Sequence, residues 1–194
     1  MKVHFYYLGI NNKVHFPNGL GVLASVLEQN NHYTTGTYLL KEEDIQNIIP
    51  ADLDHFKPDV VGISVVTNQA KYVSILVEVI RKYSKATIIA GGIHATIAPQ
   101  DLKDKGIDFI FQNEAEASLV EFLKNIESGK QVSTIKGIWP NPFYPFTNLE
   151  LLPIEKRELF YNVSFNRIIE DNKGWIGEIL ITRGCSYSCN YCCN

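Results

Sequence analysis

The chain has 194 residues, 45% hydrophobic and 20% charged, the proportions of a globular protein long enough for one ordinary domain and part of another. A net charge of −3 leaves no electrostatic footprint for nucleic acid or an anionic membrane surface. The longest apolar runs, such as Val60–Val66, are too short to span a bilayer, and the first residues lack the regions of a secretory signal, so a cytoplasmic protein is expected.

In chain order, Val3–Leu8 reads as a strand, and Leu20, Leu23, Ala24 and Leu27 then recur at helical spacing. Tyr33–Leu40 is a second strand of weaker signal. Glu42, Glu43 and Asp44 suit the first turn of a helix, where the macrodipole favours negative charge, and Pro50 makes that helix short or broken. Asp59–Val66 is a β-branched run, the pattern of a strand buried on both faces. Val73, Leu76, Val77 and Ile80 mark the next helix, Ala86–Ala90 a fourth strand ending at Gly91-Gly92, and Asp108–Phe111 a fifth. Leu119, Phe122, Leu123 and Ile126 mark a last helix.

Buried strands alternating with helices predict a doubly wound α/β domain: five parallel strands, Rossmann-like and flavodoxin-like, with right-handed crossovers. Its boundary is expected near Lys130. Ligands of such sheets bind beyond the carboxyl ends of the strands, so the informative loops are Gly9–Gly19, Ser64–Gln69, Gly91–Thr96 and Gln112–Glu116. Residues 131–175 are rich in proline and aromatics without a clear period and read as a linker that wraps against something. Ile176–Thr182 then reads as a new strand leading into Arg183-Gly184.

All four cysteines lie between Cys185 and Cys193. A disulfide framework would spread them to staple distant segments; this cluster reads as metal ligands. Thiolates ligate the irons of a [4Fe–4S] cluster. Cys185, Cys189 and Cys192 can serve three irons and leave the fourth open to the amino and carboxylate groups of a small molecule. The alternative is zinc, which usually takes two separated ligand pairs. No second pair exists, and Cys193 stands awkwardly beside Cys192.

The Cys185-x-x-x-Cys189-x-x-Cys192 spacing closely resembles the radical S-adenosylmethionine superfamily. The resemblance implies that Tyr191, just before the third cysteine, lies against the adenine of S-adenosylmethionine, and that Ile176–Thr182 opens a partial β/α barrel. Residues 1–130 resemble the cobalamin-binding domain that precedes this barrel in many such enzymes. The matching pieces are Pro17–Ala24, Pro58–Ser64, Gly91–Thr96 and Asn113–Glu116, in that order. By this resemblance Ser64, Thr67, Gly91, Gly92 and His94 contact cobalamin, Ser64 and the two glycines through its nucleotide tail. Taken singly, Gly91-Gly92 also reads as a tight turn, Ser64 as satisfying a backbone group, and His94 as a hydrogen-bonded loop histidine. His32 and His55 show no constellation.

The sequence departs from the relatives at two places. Asn113 and Ala115 replace the glycines of a Gly-Glu-Gly-Glu pattern, and Glu114 and Glu116 read rather as acids at a helix N-terminus. An Asp-x-His-x-x-Gly loop, which puts a histidine on cobalt in other cobalamin proteins, is matched only by His15 within Lys13–Asn18. Without the acid, the histidine lacks the partner that orients a metal ligand, so no protein histidine is expected on cobalt.

The implied chemistry is reductive cleavage of S-adenosylmethionine by the cluster to a 5′-deoxyadenosyl radical, followed by methyl transfer, rearrangement or cyclisation with cobalamin. A reductant such as flavodoxin or ferredoxin is the implied partner. The chain stops two residues after Cys192, whereas a full barrel needs about 200 residues. The expected organisation is a cobalamin-binding domain over 1–130, a linker over 131–175, and the start of a truncated radical S-adenosylmethionine domain over 176–194. Two other readings stay open: a stand-alone cobalamin carrier or sensor with a vestigial cysteine loop, and a flavodoxin-like nucleotide binder with structural zinc.

Overall fold

The computed structural model describes residues 1–163, 165, 167–169, 174–176, 182–187, 189, 190 and 192. Its first element, β1 (Lys2–Leu8), alternates as a buried strand must. Val3, Phe5 and Tyr7 join one apolar layer, while Tyr6 and Leu8 join the layer on the opposite face of the sheet.

The chain continues through α1 (Asn18–Gln29), β2 (Tyr33–Leu39), α2 (Asp44–Asn47), α3 (Ile49–Phe56), β3 (Val60–Ser64) and α4 (Val73–Tyr83). It then forms β4 (Thr87–Gly91), α5 (Ile93–Ile97), α6 (Pro99–Lys103), β5 (Phe109–Ile110) and α7 (Glu116–Glu127). Pro50 breaks the second helical stretch as expected: α2 ends at Asn47, and the proline sits in the first turn of α3, where its missing N–H costs nothing. In α4, Val73, Leu76, Val77 and Ile80 are all buried.

The strand order is β2-β1-β3-β4-β5, all pairs parallel. The order reverses between β1 and β3, the position at which such sheets leave a crevice at their carboxyl edge. Helices α1 and α7 cover one face through Leu23, Ala24, Leu27, Leu119, Phe122 and Leu123. Helices α3 and α4 cover the other through Leu53, Val73, Leu76, Val77 and Ile80.

Residues 131–163 pack on this domain. Ile135, Ile138, Leu159 and Phe160 are buried in the α1–α7 layer. Ile138 bridges to Phe111 beyond β5, and Phe160 bridges to Gly36 of β2. The two edge strands, which would otherwise expose unpaired backbone groups, are thereby both partly covered. Lys156 ties down the second contact through Glu28 and the Thr34 carbonyl. A short antiparallel hairpin follows, β6 (Arg167–Ile169) with β7 (Gly174–Ile176). Of the strand expected over Ile176–Thr182, residues 177–181 lie outside the described residues.

Candidate functional site

A cleft of about 210 Å3 opens on the α1–α7 face of the sheet, at its carboxyl edge. Its floor is made by Ser64 of β3 and Gly91 of β4, with Gly92 following; α1 walls it through Leu20 and Leu23, and α7 through Glu116 and Leu119. Ser64 and Gly91 are partners in the β3–β4 register. The sequence places a hydroxyl and a residue without Cβ side by side at the ends of two strands, each of which has an apolar run before it.

The two glycines do different things. Gly91 leaves room: a Cβ there would meet nothing closer than the Phe111 carbonyl oxygen at 3.9 Å, so a ligand can lie against the backbone. Gly92 is a conformational requirement. Its φ is +94°, and a Cβ would stand 2.8 Å from the Val65 carbonyl oxygen. It turns the chain from β4 into α5, whose His94 N–H donates to that same carbonyl.

Thr67 and His94 lie outside the cleft lining and meet each other. His94 Nε2 is 2.9 Å from Asp101 Oδ2, and Nδ1 is 3.3 Å from Thr67 Oγ1. A carboxylate only accepts, so Nε2 carries a proton toward Asp101; in the neutral ring Nδ1 then accepts from the Thr67 hydroxyl. Hydrogen bonds from Lys105 and His94 hold the Asp101 carboxyl below its usual range.

Asn113 stands where the relatives' pattern has glycine, and its φ is +57°. Asparagine tolerates this left-handed region better than other side-chain-bearing residues, and the Asn113 N–H is taken up by Thr96 Oγ1 at 2.8 Å. The turn thus brings Glu114 and Glu116 to the cleft. Arg183 reaches both: Nη2 is 2.7 Å from Glu116 Oε1 and Nη1 is 3.4 Å from Glu114 Oε1. Burial opposes its charge, but the hydrogen bonds and attraction of Glu116 and Glu114 outweigh that and raise the guanidinium pKa above its ordinary value. Neither Arg183 nor Asp101 stands out as a site residue in the sequence. The only signal was the proximity of Arg183 to Cys185 and of Asp101 to His94.

Both ring nitrogens of His15 have hydrogen-bond partners. Its Nδ1 is 3.2 Å from the Lys13 carbonyl and its Nε2 is 2.7 Å from Tyr7 Oη. The carbonyl requires a proton on Nδ1, so in the neutral ring Nε2 accepts from Tyr7. Burial, with Tyr38 adding, pushes the Tyr7 phenol up to about 12, which keeps it a donor.

Cys185, Cys189 and Cys192 are exposed, and the Cys192 N–H donates to the Cys189 carbonyl at 3.0 Å. Among the described residues no three His, Cys, Asp or Glu side chains are gathered as metal ligands are. Tyr191 and Cys193 lie outside the described residues. The described residues include no helix long and apolar enough to cross a membrane.

Solved structures share this fold. The cobalamin-dependent S-adenosylmethionine radical enzyme OxsB with aqua-cobalamin bound superposes with a TM-score of 0.67 at 18% identity. The same enzyme with aqua-cobalamin and S-adenosylmethionine gives 0.65 at 18%, and its apo, selenomethionine-labelled form 0.64 at 20%. In each case 81% of this chain is covered, and it spans 24% of the length of OxsB. No match was found among curated protein sequences. The B12 binding domain family model matches residues 11–123, more than half of the chain and the span that contains α1, the β3 and β4 ends and the α7 turn. The chain therefore belongs to the B12 binding domain family.

Proposed function

We propose that this chain holds cobalamin by its nucleotide tail in the α1–α7 cleft and supplies the cluster loop of a cobalamin-dependent radical S-adenosylmethionine enzyme. The cofactor domain comprises residues 1–130, residues 131–175 link it onward, and residues 176–194 begin the radical domain. The observation that carries the reading is the shared edge. Ser64, Gly91 and Gly92 line one cleft, and Arg183, two residues before Cys185, lines it too.

The cleft suits a tail with both apolar and polar surface. It is lined chiefly by apolar side chains, with Ser64, Asn113 and the ion-paired Arg183, Glu114 and Glu116 as its polar groups, and Gly91 lets a ligand reach the backbone. Ser64 would hydrogen-bond the tail, and Leu20, Leu23 and Leu119 would exclude water from it. Thr67, oriented by His94 and Asp101, would face the corrin edge. Cys185, Cys189 and Cys192 are the thiol donors that irons take, and loading the cluster would draw them together. Tyr191 would then lie against the adenine of S-adenosylmethionine. When bound, cobalamin supplies a carried methyl group or a radical partner, and the cluster with S-adenosylmethionine supplies a hydrogen-abstracting radical. The whole enzyme would take its electron from a flavodoxin- or ferredoxin-type reductant in the cytoplasm.

Anaerobic reconstitution with iron, sulfide and hydroxocobalamin, followed by desalting, metal analysis and a visible spectrum, tests this. Corrin bands together with iron and sulfide are expected. Corrin without iron would leave a carrier or sensor module, and zinc without corrin would overturn the proposal.

A further inference from the structure

We infer that Arg183 is a positioning residue that fastens the cysteine segment to the wall of the cofactor cleft, so that occupancy of the cleft and the hold on that segment are coupled. The coupling rests on the cobalamin reading; the fastening does not.

The fastening has three parts. Arg183 pairs with Glu116 at 2.7 Å and with Glu114 at 3.4 Å. Glu116 is only 5% exposed and sits in the first turn of α7. The second oxygen of Glu114 accepts the Thr147 N–H at 2.7 Å, so the same glutamate holds the segment that precedes the hairpin. A carboxylate buried to this degree needs its cation: without the guanidinium, Glu116 would be left desolvated with no compensating charge. The planar fork suits two carboxylates at once, which a lysine ammonium on its flexible stem does not. Only Gly184 separates Arg183 from Cys185, and its φ of +80° sets a sharp bend there. Fixing the guanidinium therefore fixes where Cys185 begins.

The coupling follows from position. Glu114 and Arg183 line the 210 Å3 cleft and also a second, open cleft beside Cys185, formed with Phe146, Thr147 and Gly184. The ion pair is thus the partition between the two. A tail lying in the first cleft excludes water from the pair and strengthens it. By reciprocity, a fastened Arg183 favours the occupied cleft.

Trypsin reads the fastening directly, because cleavage of the Arg183–Gly184 bond requires the guanidinium to leave its glutamates. Cleavage there is followed by mass spectrometry, with cleavage after the exposed Lys13 as the internal measure of folding, in wild type, E116Q, E114Q and R183K. In ligand-free protein, E116Q should accelerate cleavage at position 183 about tenfold relative to Lys13, the loss of one charge-assisted hydrogen bond. R183K, a change at a half-buried site that folding tolerates more readily, should also be cut faster. Hydroxocobalamin, its binding read separately from the visible spectrum, should slow cleavage at 183 severalfold in wild type and leave the E114Q/E116Q double variant unprotected. Equal rates in wild type, E116Q and R183K would overturn the fastening. Bound cobalamin with no protection would overturn the coupling alone. Failure of cobalamin to bind would overturn the cofactor assignment and the coupling with it, while the ligand-free rates still decide the fastening.

Discussion

Ser64 and Gly91 are the last register partners of β3 and β4, so the hydroxyl of one and the bare backbone of the other meet at the carboxyl edge of the sheet. Neither suits a strand interior: serine ends an apolar run, and glycine weakens a strand. Side by side at the floor of the cleft, they give one hydrogen-bonding group and one point of close approach.

A Gly91→Leu substitution separates these roles. A Cβ at 91 meets nothing closer than 3.9 Å, so the fold should survive, with a melting temperature within a few degrees of wild type. The remaining side-chain atoms would occupy the cleft. Retention of hydroxocobalamin after gel filtration should fall at least about tenfold, the equivalent of ~1.4 kcal/mol. Gly92→Ala should behave in the opposite manner, lowering stability by about 1–3 kcal/mol through its positive φ and its clash with Val65. Thermal melts and spectra of both variants give the comparison.

His15 should not reach cobalt. Both ring nitrogens are engaged, one with the Lys13 carbonyl and one with Tyr7 Oη, and Lys13 stands where an orienting acid would be required. Electron paramagnetic resonance of the cobalt(II) form bound to this chain should lack nitrogen superhyperfine splitting from a protein histidine. The His15→Ala spectrum should match wild type. Splitting that vanishes in His15→Ala would show that the Tyr7 contact breaks on binding.

Acid should destabilise the domain in two stages. Burial, with the neighbouring N-terminal ammonium, depresses the His32 pKa. A folded value below the unfolded ~6.5 gives stability that is complete above about pH 6.5 and is lost as pH falls through the folded pKa. Asp52 acts lower. Burial favours its neutral form, but the His4 ring 3.6 Å away and hydrogen bonds from Thr37 and Tyr161 outweigh this and lower the pKa. Its contribution is complete above about pH 3.9 and is lost as pH falls through the folded pKa. Asp52→Asn should cost about 2–3 kcal/mol at neutral pH, since it weakens bonds from Thr37 and Tyr161, both 2.6 Å long. It should also shrink the lower stage, to which Glu28 and Asp101 contribute as well, and leave the upper one. Melting temperature against pH for wild type, Asp52→Asn and His32→Gln separates the two.

The sheet was legible because its signal is local. Val3, Phe5 and Tyr7 alternate with Tyr6 and Leu8; Val73, Leu76, Val77 and Ile80 fall on one helical face; Pro50 cannot sit in a helix interior and so divides the stretch, opening α3 in its first turn. Helices α5 and α6, of five residues each, are too short to show a period, and Gly91–Thr96 read as a plain loop. The proline- and aromatic-rich composition of the segment after Lys130 signalled that it wraps against something, but not that Ile135, Ile138, Leu159 and Phe160 are the residues buried, because irregular segments bury residues without a repeat. The site was legible as residue types at strand ends, Ser64 with Gly91-Gly92, and illegible as pairs. Arg183 and Glu114 are 69 residues apart, and a distance-blind reading sees only an arginine before a cysteine and an acid before a helix. The left-handed turn at Asn113 is hidden for a related reason: asparagine can supply the backbone freedom that the glycine pattern provides.

The cysteines carry the last prediction. Cys185, Cys189 and Cys192 are exposed, so iron and sulfide can reach them without unfolding the α/β domain. The Cys192 N–H already bonds the Cys189 carbonyl, which keeps these two residues on one turn. Cys193 follows Cys192 directly, and adjacent side chains diverge from one another along the chain, so both cannot readily serve one cluster. Reconstituted anaerobically, wild type should take up iron and sulfide with the broad visible absorption of a thiolate-ligated cluster. Cys185→Ala, Cys189→Ala and Cys192→Ala should each abolish it, because two remaining thiolates cannot retain a four-iron cluster against an exposed surface. Cys193→Ala should leave iron content nearly unchanged. Equal losses from Cys193→Ala and Cys189→Ala would mean that the ligand set is not the one the spacing implies, and zinc retained in place of iron by all four variants would remove the cluster from this chain altogether.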